Sequence, residues 1–123
     1  MGKTVVMGIC GGIAAYKAVC AASAMMKKGI DVHVVMTKSA TEFVTPLTFQ
    51  TITKNKVITD MFSLSENVTT EHISLAKAAD AFLICPATAN VIGKIASGIA
   101  DDFLTTTVMA TKAKVVFAPA MNT

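Results

Sequence analysis

The chain has no arginine. The guanidinium fork that reads phosphates and base edges bidentately is therefore absent, and any phosphate must be held by backbone amides, hydroxyls or lysine. Charge of either sign is scarce. Only 15% of the 123 residues are charged, against about a quarter in ordinary soluble domains. The net charge of +3 is mild and its lysines are scattered, so no nucleic-acid partner is expected. The three cysteines, Cys10, Cys20 and Cys85, form no CxxC pair. An odd count without such pairs argues against a secreted disulfide framework and offers no metal site. Each cysteine sits among apolar neighbours, so reduced, buried thiols of a cytoplasmic protein are the expectation. The stretch from Val5 to Met26 has the apolar content of a secretory signal, but Tyr16 and Lys17 interrupt it and Gly11-Gly12 break it. No uncharged apolar run reaches the ~18 residues that a membrane-spanning helix needs. The chain also lacks internal repeats, linkers, a Walker A motif and the full dinucleotide fingerprint, because Gly8, Gly11 and Gly12 are wrongly spaced for it.

What the chain has is apolar surface. Hydrophobic residues make up 53% of it, and that surface must be buried within a sheet covered on both faces or between subunits. Thr4–Cys10 reads as a strand, Ala14–Lys28 as a helix stopped by Gly29, and Asp31–Met36 as a second strand. Strand, helix and strand in this span make a right-handed βαβ unit. Ser39-Ala40-Thr41-Glu42 matches a capping box, and Thr45-Pro46 reads as an N-cap with proline at the first helical position of a helix reaching Thr53. Lys56–Thr59 is a candidate short strand and His72–Ala79 a short helix. Ala81–Cys85 is a strand ended by Pro86. Asn90–Ser97 and Asp102–Thr111 are helices parted by Gly98. Lys114–Ala118 is a last strand stopped by Pro119. The pattern predicts one α/β domain: a Rossmann-like, flavodoxin-type open parallel sheet with helices on both faces.

Ligands of such sheets bind at the carboxyl ends of the strands. That rule singles out four loops. Gly11-Gly12-Ile13 lets a backbone approach a ligand closely and opens a helix whose free amides suit phosphate; the same glycines also suit a plain tight turn. Thr37 and Ser39 offer hydroxyls at the same edge, although Ser39 equally reads as a helix cap. Pro86-Ala87-Thr88-Ala89-Asn90 and Pro119-Ala120-Met121-Asn122 share one form: proline, small residue, then an amide side chain. Asn90 also reads as an N-cap. Of the two histidines, His33 lies within a strand and is structural, whereas His72 follows a polar loop and is a candidate general base.

Together these segments resemble the homo-oligomeric flavin-containing cysteine decarboxylases. The matching pieces are Gly12-Ile13-Ala14-Ala15-Tyr16-Lys17, His72-Ile73 with Leu75 and Ala79-Asp80, Pro86–Asn90, Lys94–Asp102 and Pro119–Asn122. The branch most like this chain decarboxylates phosphopantothenoylcysteine in coenzyme A biosynthesis. The resemblance implies bound FMN that oxidises the substrate thiol to a thioaldehyde, after which the adjacent carboxylate leaves as carbon dioxide. It implies His72 as catalytic base and Asn122 as the group that binds the substrate carboxylate. It implies the loops at Thr37–Ser39 and Pro86–Asn90 around the flavin phosphate and ring, with Ala120 and Met121 against the isoalloxazine. It also implies a trimer or a trimer-based dodecamer. In the family the Pro-x-Met-Asn motif runs on to a Met-Trp and to a later segment that closes over the substrate. This chain ends at Thr123, so residues 1–123 are expected to be a flavoprotein domain truncated before that clamp. Alternatives within the same likeness are a peptidyl-cysteine decarboxylase of lantibiotic type, a flavin prenyltransferase and a non-catalytic flavin-binding regulatory relative.

Overall fold

The computed structural model describes residues 2–59 and 74–120. Strand β1 (Thr4–Ile9) leads through helix α1 (Ala15–Lys27) to strand β2 (Asp31–Met36). A 3-10 turn (Ser39–Glu42) and helix α2 (Pro46–Thr53) follow. Helix α3, described over 74–78, precedes strand β3 (Ala81–Ala87). Helices α4 (Ala89–Ala96) and α5 (Phe103–Ala110) lead to strand β4 (Lys114–Pro119). The strands pair in the order β2-β1-β3-β4, all parallel. Ile58 adds a parallel bridge to Val35 on the outer side of β2, in the segment read as a candidate strand.

Each strand alternates its side chains between two cores, as pleating requires. Val6, Val35, Phe82 and Ile84 face Val91, Phe103 and Leu104 of α4 and α5. Met7, Ile9, Val34 and Met36 face Ala15, Ala18 and Ala22 of α1 and Phe49 of α2. Helices thus cover both faces of the sheet, as expected. Gly8 is where α5 comes nearest: a Cβ there would lie 2.4 Å from a Leu104 methyl. The expectation of full cover fails at β4, where Val116 and Phe117 are exposed. An apolar run reads the same at the centre of a sheet and at its edge, so the sequence does not distinguish them.

Several element ends depart from the sequence reading. The α1 stop holds: Gly29 takes φ +83°, its N–H donates to Met26 O, and the Ile30 N–H donates to Met25 O, a Schellman closure. The Ser39 capping box does not form. The buried Thr37 hydroxyl instead accepts the Ala40 N–H at 3.1 Å, from two residues ahead of the turn, before its N-cap Lys38. At α4 the cap is Thr88, whose hydroxyl accepts the Val91 N–H at 3.3 Å, and not Asn90, which lies in the first turn. Thr45 precedes Pro46 as read, but its hydroxyl pairs with Thr48 Oγ1 instead of capping a backbone amide. Pro86 does not end β3. The strand bulges between Ile84 and Ala87 and resumes with Ala87 opposite Pro119. Proline removes only one donor, which a bulge accommodates.

Beyond the sheet's amino end, Asn55 closes the segment after α2. Its Nδ2 donates to Asp31 Oδ1 at 2.9 Å and to Val32 O at 2.7 Å, and His33 Nε2 lies 3.0 Å from Asp31 Oδ2. The Asn55 bond first, and then His33, hold the Asp31 carboxyl below its ordinary value of 3.8. A carboxyl depressed by folding stabilises the native state above its unfolded pKa, and that stability is lost as pH falls through the folded pKa. The urea midpoint of the wild type should therefore drop below about pH 4, and more steeply than that of Asp31→Asn. Parallel pH profiles for the two proteins would overturn this assignment.

Candidate functional site

The chain leaves β1 for β2 on one side, while β3 lies on the other. Loops after β1 and β3 therefore diverge and leave a crevice at the carboxyl end of the sheet. A cleft of about 660 Å³ opens there, walled by Gly11, Gly12, Ile13 and Ala14 after β1, by Thr88, Ala89 and Asn90 after β3, and by Phe43 and Ala120. The Ala120 N–H donates to Ala87 O at 3.2 Å, which ties the last loop to the third. Gly11 brings the first and second loops together: a Cβ there would lie 2.4 Å from Ser39 Cβ. A smaller cavity of about 280 Å³ shares Gly11, Thr88 and Asn90 and adds Thr37, Lys38, Ser39 and Lys94.

Backbone donors at this edge are free among the described residues. Helix α1 has no side-chain N-cap. The amides of Gly12, Ile13 and Ala14 donate to no partner among the described residues. Amides at the start of a 13-residue helix attract an anion, and the Ser39 hydroxyl, exposed and released from capping, stands nearby. Lys94 crosses to Asp101, with Nζ 3.0 Å from Oδ2. Ile13, Phe43, Ala89 and Ala120 give the larger cleft apolar walls. Anion donors beside a flat apolar slot fit a phosphorylated aromatic ligand.

Cys10, just after β1, and Cys85, within β3, line neither cavity. Burial pushes the Cys10 thiol up to about 11, against the opposing pull of hydrogen bonds to Thr88. Burial also raises the Cys85 thiol. All three cysteines are free, but Cys20 is exposed on α1, contrary to the expectation that it is buried.

Most of the predicted site residues converge. Gly11, Gly12, Ile13, Thr88, Ala89, Asn90 and Ala120 line the larger cleft, and Thr37 and Ser39 the smaller. Pro86 and Ala87 are buried within β3 and line neither; they position the loop that follows. His72, Met121 and Asn122 lie outside the described residues. The sequence reading did not include Phe43, Lys38 or Lys94. Phe43 is an aromatic residue just ahead of the Thr45-Pro46 helix start, and no spacing rule marks it. Lys94 lies within the Lys94–Asp102 segment quoted for the resemblance, where it carried no role.

The model of the family described as Flavoprotein matches residues 1–123. The chain belongs to the flavoprotein family. Within that family it is 54% identical over 120 residues to the coenzyme A biosynthesis bifunctional protein CoaBC of Borreliella burgdorferi, a match covering 98% of this chain and 30% of that protein. It is 41% identical over 125 residues to a Streptococcus mutans protein named a probable phosphopantothenoylcysteine decarboxylase, covering 100% of this chain and 70% of that one. Among solved structures it resembles the FMN-dependent cysteine decarboxylase TvaF of thioviridamide biosynthesis, with a TM-score of 0.90 at 33% identity, covering 98% of this chain and 74% of TvaF. The chain thus spans about 30% of the length of the CoaBC relatives.

Proposed function

We propose that this flavoprotein domain binds FMN in the switch-point cleft and carries out the oxidative decarboxylation of 4′-phosphopantothenoylcysteine to 4′-phosphopantetheine. The observation that carries the reading is the pairing of the Gly12–Ala14 amides just ahead of α1, which have no partner among the described residues, with an apolar slot at one edge of the sheet. The residues fit the cofactor. The amides of Gly12–Ala14, with Ser39, would hold its phosphate, and Ile13, Phe43, Ala89 and Ala120 would flank its ring. Bound FMN supplies a two-electron oxidant, so the protein need only position groups and accept a proton. His72 is assigned the proton acceptance and Asn122 the substrate carboxylate, both by family likeness. Identity of 54% to CoaBC against 33% to TvaF favours the small-molecule substrate over a peptide. The purified protein should take up one FMN per chain and, so loaded, release carbon dioxide from phosphopantothenoylcysteine faster than from a peptide ending in cysteine. Failure to bind FMN would sink the cofactor assignment, and a preference for the peptide would sink the substrate assignment.

We further infer a homo-oligomer, a trimer or a trimer-based dodecamer. Ile13 and Leu47 are 71% and 68% exposed, and Tyr16 and Phe43 are also open to solvent. Ile13 and Phe43 line the cleft, so this apolar surface reaches the ligand rim. Large exposed apolar side chains grouped in this way mark association surfaces. Light scattering should give the mass of three chains or a multiple, and Leu47→Asp should lower it. A monomeric wild type would reject the inference.

A further inference from the structure

At the opposite end of the sheet, where β3 and β4 begin, lies a second concavity of about 620 Å³. Helix α3 and the residues after it form one wall, and the turn from α5 into β4 forms the other. The walls are low, made of alanines such as Ala76 and Ala110, and Lys77, Lys112 and Lys114 rise from them. The floor is fixed by Thr111. Its hydroxyl donates to Ala76 O at 3.0 Å and accepts the Ala113 N–H at 3.1 Å, which locks the two walls together. The one carboxylate in its described lining, Asp80, accepts the Thr4 N–H at 2.7 Å and so belongs partly to β1. None of the three lysines makes an ion pair among the described residues.

We propose that this concavity is a second ligand site, for a small molecule that carries a diphosphate or polyphosphate group. Among the described residues, three ammonium groups against one carboxylate leave two positive charges unmatched, in a concavity of the size that ordinary ligands occupy. Lysine binds phosphate as a point charge and needs no planar fork, which suits a chain without arginine. The carbonyl ends of α3 and α5 also face this region and attract cations, but three lysines exceed what two helix ends require. The low alanine walls leave room for an organic body beside the anion. The site lies apart from the flavin cleft and does not rest on the flavin reading.

Radiolabelled pyrophosphate tests the proposal by equilibrium dialysis, with and without saturating FMN. With FMN saturating the flavin cleft, one saturable pyrophosphate per chain should bind; without FMN, the phosphate end of that cleft is open to a second. Affinity should fall at least tenfold in Lys112→Gln/Lys114→Gln, persist in Lys112→Arg/Lys114→Arg, and be unchanged in Lys27→Gln/Lys28→Gln on the far end of α1. Thermal melts of each variant separate lost binding from lost folding. Absence of saturable binding under saturating FMN, or equal weakening in the Lys27/Lys28 variant, would overturn the site. So would a lowered melting temperature in Lys112→Gln/Lys114→Gln with unchanged pyrophosphate affinity, which would make the lysines charges that serve the helix ends.

Discussion

Replacing His72 with asparagine should abolish carbon dioxide release while FMN remains bound. A positioned general base contributes about 10²–10⁴-fold to a rate, and an amide of similar reach can accept a hydrogen bond but not a proton. The substitution therefore removes the chemistry and leaves the volume. The cleft that would hold FMN is built by the loops after β1, β2, β3 and β4, and the family likeness gives His72 the substrate's proton and not the flavin, so flavin affinity should change less than threefold. The separation of the two readouts is what identifies a base. Loss of flavin together with activity would make His72 part of the binding site. Turnover within about tenfold of wild type would remove it from catalysis. The measurement belongs on the FMN-loaded protein with phosphopantothenoylcysteine, followed by trapped carbon dioxide and by flavin absorbance.

What was legible in the sequence follows from which physical signals are local. Apolar strands, Gly29 and Gly98 as helix stops, and Pro46 at a helix start depend on neighbours within a few residues, and each stands where read. Caps depend on backbone geometry one step earlier. Thr37 and Ser39 are both hydroxyl residues, as Thr88 and Asn90 are both capping types. Composition cannot tell which of each pair precedes the first turn. The structure chose the earlier member both times, and so left Ser39 and Asn90 facing the cavities. The cleft itself was legible because the carboxyl-end rule needs only strand order and loop position. Its walls were less so. Pro86 and Ala87 look like loop residues, but β3 continues through them by a bulge. Phe43 reaches the cleft through the packing of the 3-10 turn and α2, which no motif records. The exposure of β4 depends on what lies beside it, and a strand's own sequence does not say.

Gly11 tests how the phosphate end of the cleft is built, and Gly11→Ala should damage stability and flavin binding together. Its φ is not positive, so alanine meets no backbone penalty, and by chain entropy alone the change should stabilise by about 0.4–1 kcal/mol. The contacts oppose this. The new methyl would lie 2.4 Å from Ser39 Cβ, 3.0 Å from the Ser39 carbonyl carbon and 3.3 Å from the Ala40 N–H nitrogen. Two of these are backbone atoms of the 3-10 turn that Thr37 caps, so no flexible side chain can swing aside. Overpacking of this kind costs about 1–3 kcal/mol, which exceeds the entropic gain. The strain resolves by moving the second loop away from the first, and that displaces Ser39 from the free amides of Gly12–Ala14. FMN affinity should therefore fall at least tenfold, about 1.4 kcal/mol. Gly12→Ala is the internal control. Its methyl meets only Thr88 Cγ2 at 3.9 Å, so the protein should keep its urea midpoint, and any loss of FMN would come from the methyl at the cleft wall and not from the second loop. Equal urea midpoints for wild type and Gly11→Ala, with FMN titrations that superimpose, would show that the contact between the two loops is not what shapes the site.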